Sequence, residues 1–112
     1  MHHEHIDAAI DAAAGLGRKV LVLTENLRQA QAFAGCFEGA APAGSVSAVS
    51  RVAGRASLDF HGGGRILFLS LRQSARGLSV DRVLVPKDTP PETLANIVPM
   101  TATSEDGQIT GY

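Results

Sequence analysis

A few groups of residues in this 112-residue chain have types and spacings that could do chemistry. His2, His3 and His5 surround Glu4, and imidazole and carboxylate both ligate zinc. A tight metal site needs its ligands held in place, and nothing within residues 1–5 holds them, so this stretch reads as a frayed terminus without metal. Ser57, Asp59 and His61 supply the side-chain types of a hydrolytic triad. Alternate residues of one strand line one face, however, and a solvated stripe accounts for the three better than a triad does. Gly62, Gly63 and Gly64 could cradle a phosphate, but no Lys-Ser/Thr follows and the next segment has the pattern of a strand. A hairpin turn is the reading. Arg28, Arg72 and Arg76 could grip a nucleic-acid backbone or an acidic partner. They could equally be paired with Glu25, Asp81 or Asp88, or be solvated. Cys36 has no neighbours that would make it a reactive thiolate, and it reads as a small core residue. The chain contains no CxxC, HExxH, GxSxG or GxxxxGK[ST].

The elements that must position these residues follow from hydrophobic patterning. The stretch Gly62–Asp88 organises the chain. Within it, Arg65–Leu71 and Val80–Val85 are short apolar runs joined by a basic connector, and unbroken runs of this kind suit strands covered on both faces. Upstream, Ile6–Leu16 predicts a helix, with Ile6, Ala9, Ile10, Ala13 and Ala14 on one face and Gly15 and Gly17 at its stop. Arg18–Thr24 is the strongest strand of the N-terminal half. Asn26 is placed to cap a helix over Leu27–Phe37, whose inner face would carry Leu27, Ala30, Ala34 and Phe37. Gly35 marks a close contact on that helix. Val46–Val52 predicts a short strand, and Ala56–Phe60 alternates clearly enough to pair with Arg65–Leu71 as an antiparallel hairpin. Thr89 or Asp88 can cap a helix over Glu92–Val98 with proline in its first turn, and Gln108–Tyr112 can form a last strand at the sheet edge.

Composition narrows the class. The chain is 45% hydrophobic but only 4% aromatic with no Trp, so one modest aliphatic core over residues 1–112 is expected. The net charge of −1 provides no global field for nucleic acid, leaving only local clusters. A single cysteine, no apolar run of membrane-spanning length and no basic-then-apolar leader lead to the expectation of a cytoplasmic protein.

The order of elements, with the residues that mark their ends, resembles the RecA-like ATPase lobe of tailed-phage terminase large subunits and DEAD-box-type helicases. AAIDAAAGLGRKVLVLT, residues 8–24, resembles the helix after the phosphate loop and the strand that follows. TENLRQA, residues 24–30, resembles the helicase motif that contacts a nucleic-acid backbone. ASLDFHGGGRILFLSL, residues 56–71, resembles the family's hairpin. SARGLSVDRVLV, residues 74–85, resembles the terminase segment that leads into the second ATPase motif, and IVPMTATSEDGQI, residues 97–109, resembles the third motif. The resemblance implies an α/β fold of three layers, mostly parallel with an antiparallel hairpin, RecA-like but without the P-loop.

The departures decide what function the resemblance implies. ATP hydrolysis on this fold needs a glycine-rich loop with Lys and Ser/Thr, and an acidic pair after the second-motif strand to hold magnesium. The loop motif is absent, and the acidic pair is replaced by Pro86-Lys87. Proline cannot coordinate a metal and lysine repels it; Asp88 falls too late. The expectation is therefore a pseudo-ATPase: a non-catalytic interaction module, phage- or prophage-encoded, working in the host cytoplasm without cofactor and binding a protein partner. The alternative is a nucleic-acid-binding accessory protein. In both, the resemblance brings Thr24, Arg28, Arg72 and Arg76 to the carboxyl edge of the sheet as the binding residues. No surface aromatic is evident to stack bases, which disfavours tight single-strand binding.

Overall fold

A computed structural model describes residues 2–51, 56–71, 79–101 and 108–112. Six strands form one mixed sheet in the order β2-β3-β4-β1-β5-β6. They span Lys19–Thr24 (β1), Val46–Ser50 (β2), Ala56–Phe60 (β3), Arg65–Ser70 (β4), Arg82–Val85 (β5) and Gln108–Gly111 (β6). β4, β1, β5 and β6 run parallel, and β2–β3 and β3–β4 pair antiparallel. The expected α/β fold with a hairpin is thus observed. The two apolar runs of the organising stretch, β4 and β5, are not neighbours: β1 lies between them and pairs with both. Its run Val20–Leu23 is buried on both faces, which is why it reads as continuously apolar rather than alternating.

Helices cover both faces. Helix α1 (His3–Ile10) runs on into a π-helical turn at Asp11–Gly15, and helix α2 spans Leu27–Ala40. Their inner residues Ile6, Ala9, Ile10, Ala13, Ala30, Ala34 and Phe37 pack on Val20, Val22, Leu58, Ile66, Phe68 and Leu84 of the sheet. Phe37 meets Phe68 edge to face, with centroids 5.1 Å apart. Helix α3 (Pro91–Ile97) lies on the opposite face, where Ile97 joins Leu21, Leu23, Leu69, Val83 and Val85.

Local chemistry explains most of these boundaries. The Asn26 side chain accepts a hydrogen bond from the Gln29 amide and starts α2 as expected. The β3–β4 turn carries Gly63 at φ 90°, a conformation that favours glycine. At its end Gly64 lies directly under the π turn, where a Cβ would come within 1.8 Å of the Ala13 carbonyl oxygen. Backbone-to-backbone approach at that spot is what the third glycine provides.

Several expectations are corrected. His3 and His5 belong to the first turns of α1. Leu27 is 44% exposed, because α2 turns its Ala30–Ala34–Phe37 face to the sheet and leaves the first residue outside it. Cys36 is exposed, one position before the buried Phe37 on a helix whose outer side faces solvent. Thr89 does not cap α3: its hydroxyl donates to the Pro86 carbonyl at 2.6 Å, closing the turn that precedes the helix. Near Gly35 the contact is the Arg51 guanidinium, which bonds Glu38 at 2.6 Å.

Candidate functional site

The carboxyl ends of parallel strands are where open α/β sheets place ligands, in the crevice where neighbouring connections leave toward opposite faces. Here β1 continues into α2 on one face, and β5 leads to α3 on the other. The crevice of this sheet therefore lies between the ends of β1 and β5.

Thr24 and Ser70 are register partners at the ends of β1 and β4, so these two strand ends meet at the carboxyl edge. Thr24 is fully buried. Its hydroxyl lies 2.9 Å from the Asn26 carbonyl and 3.1 Å from the Leu69 carbonyl, and the Leu71 amide donates to its own carbonyl at 2.7 Å. These bonds tie the β1–α2 turn to the end of β4, and they place Thr24 as a holder of the loop. Glu25 and Asn26 follow at the surface, with the Glu25 amide held by the Gln29 side chain at 2.9 Å. Arg28 stands exposed on the first turn of α2. Arg72 and Arg76 lie outside the described residues. Asp81, one of the carboxylates considered as an arginine partner, pairs with Arg18 at 3.6 Å and accepts from the Lys19 amide at the opposite, amino edge.

The residue that sequence reasoning missed is Tyr112. Its amide donates to the Val85 carbonyl at 2.8 Å and its carbonyl accepts from Lys87 at 2.9 Å, extending the β5–β6 ladder past the last strand residue. Its ring meets Phe33 of α2 edge to face at 5.6 Å, and its hydroxyl donates to the Leu23 carbonyl of β1. Tyr112 thus lies across the crevice, joining β5, α2 and β1. Burial pushes its hydroxyl up to about 12, with the Glu25 carboxylate adding to the shift. The available signal was that the chain's only tyrosine ends its last apolar strand.

Past β5, Pro86 is half-buried, and Lys87 and Asp88 are exposed. Lys87 is the second residue past the end of β5, after Pro86, so the first charged group beyond that strand is a cation. A cleft of about 580 Å³ lies at the other, amino edge, lined in part by Lys19, Asp59, Gly63, Gly64, Arg65 and Ser79. There Asp59 and Arg65, in register across the hairpin, pair at 2.5 Å. Ser57 and Asp59 are half-buried and His61 is exposed, beyond the end of β3. Among the described residues no group of three or more His, Cys, Asp or Glu could hold a metal ion, and no helix is long and apolar enough to cross a membrane.

Comparison with known proteins finds no matching family model, no matching curated protein and no matching solved structure.

Proposed function

We propose that this chain is a non-catalytic binding module built on a scaffold like that of a motor ATPase lobe, and that its ligand is another protein. One observation carries the reading: the crevice between the ends of β1 and β5 is spanned by the chain's own Tyr112, anchored on Leu23, Val85 and Phe33. A nucleotide's phosphates would have to displace that ring, and they would meet Lys87 without an acidic pair to carry magnesium. Resemblance to terminase and helicase lobes, together with the Pro86-Lys87 replacement, supports the same reading.

The test has two arms. Purified protein should neither hydrolyse ATP nor gain thermal stability from ATP or ADP with magnesium. Immobilised protein should retain a specific partner from the native host, and less of it after Arg28→Glu. Magnesium-dependent turnover that disappears in Asp88→Ala would overturn the proposal.

A second reading, nucleic-acid binding, is favoured by one observation. Arg28 is exposed beside the β1–α2 turn, and no carboxylate among the described residues pairs with it. It predicts binding to DNA or RNA that weakens as salt rises and weakens again in Arg28→Ala. A flat titration at low salt removes it.

A further inference from the structure

The two edges of the sheet differ in how they are finished. At one edge, β2 carries a register shift between Val46 and Ala48, a local irregularity of the kind that discourages further pairing. At the other, β6 pairs with β5 in unbroken register from Gln108 to Gly111, without charge, proline or bulge. Among the described residues nothing pairs with its outer side.

The ladder fixes which groups face outward. Tyr112 directs both its amide and its carbonyl to β5. Residues of a strand between two neighbours alternate in which side they bond, so Thr110 and Gln108 also bond β5. Ile109 and Gly111 are left with amide and carbonyl pointing to the open side.

That arrangement is self-complementary. Set two β6 strands antiparallel about a two-fold axis through Thr110. Ile109 then faces Gly111 of the second copy and exchanges two hydrogen bonds with it, and Gly111 faces Ile109 in the same way. The contact has four backbone bonds. Thr110 meets its own copy, a favourable cross-strand pair with no like charges opposed. Ile109 and Gly111 lie on the same face; each Ile109 side chain packs against its own copy's core, and the residue facing it across the axis is a glycine, which adds no side chain to obstruct the approach.

We infer that β6 is a self-association edge, joining two copies of this chain into one continuous sheet through Ile109, Thr110 and Gly111. A contact between four-residue strands buries much less than the roughly 1,200–2,000 Å² typical of stable complexes, so the association is weak and concentration-dependent. This inference is independent of the function proposed above.

Hydrogen exchange at increasing protein concentration tests it. The Ile109 and Gly111 amides exchange fast in dilute protein and slow markedly as copies pair, while the Thr110 amide is protected throughout. Sedimentation velocity shows the matching shift from monomer to dimer. Thr110→Lys abolishes both effects by opposing two cations at the axis, and mixing it with Thr110→Glu restores them. Ile109→Pro removes an outward amide and keeps every bond to β5, and it decides the matter should Thr110→Lys not fold. Three results would each overturn the inference. One is exchange that does not change with concentration. Another is slowing at β2 instead of β6. The third is protection that appears only when a foreign peptide is added.

Discussion

Tyr112 and Gly64 show how single residues set behaviour here. The Tyr112 hydroxyl is pushed up to about 12 by burial and by Glu25, above the ordinary value of 10.0, so folding favours its neutral form. The stability it contributes is fully present below pH 10, and it is lost as pH rises from there through about 12. Because the chain has one Tyr and no Trp, the tyrosinate absorbance band reports this group alone. Titration should give a midpoint well above that of the unfolded protein. Tyr112→Phe should flatten the alkaline loss of stability measured by denaturant unfolding. An ordinary midpoint would show that the ring does not close the crevice in solution. Gly64 makes a steric prediction. A Cβ there would strike Ala13 backbone atoms at 1.8, 2.6 and 2.9 Å, and backbone cannot swing aside as a side-chain tip can. Gly64→Ala should cost about 3 kcal/mol by chemical denaturation, at the upper end of overpacking effects. Gly15→Ala, where nothing lies within 4 Å, is the matched control and should be close to neutral.

At the scale of elements, α2 depends on its cap and β1 on its neighbours. Asn26→Ala removes the acceptor of the Gln29 amide and should destabilise the protein by about 1 kcal/mol, read as a shift in denaturation midpoint with unchanged slope. The cap was legible in the sequence because an Asn directly preceding a helical pattern has few other local uses. β1, β4 and β5 were legible because strands covered on both faces leave unbroken apolar runs, and the β3–β4 hairpin because Ala56–Phe60 alternates and is followed by glycines. The exposure of Leu27 and Cys36 was not legible. Leu27 fits the apolar stripe by spacing, and only the angle at which α2 meets the sheet decides which edge of the stripe is covered; Cys36 reads as core by residue type alone and lies off that stripe. The strand order was hidden too, since β4 and β5 adjoin in sequence while β1 separates them in space. The role of Tyr112 needs that order. Its carbonyl and amide serve β5, its ring α2 and its hydroxyl β1, and no local pattern connects those three partners.

For the whole molecule, the central fact is that the strand in the middle of the sheet is made first. Val20 to Leu23 should be among the last amides to exchange under native conditions, opening only with global unfolding; faster exchange there than in β2 would contradict the sheet order. The carboxyl-edge residues Thr24 and Ser70 come together only because β4 returns parallel to β1, whereas the β2–β3 excursion between them is local and antiparallel. The same order has a consequence during synthesis. β1 leaves the ribosome as a bare aliphatic strand. One flank stays open until Arg65–Ser70 has been translated, and the other until Arg82–Val85 follows. A nascent chain arrested between those points exposes a sticky, half-paired ribbon. Fragments ending near Ser70 should accumulate as aggregates or recruit holdase chaperones, while the full chain escapes both.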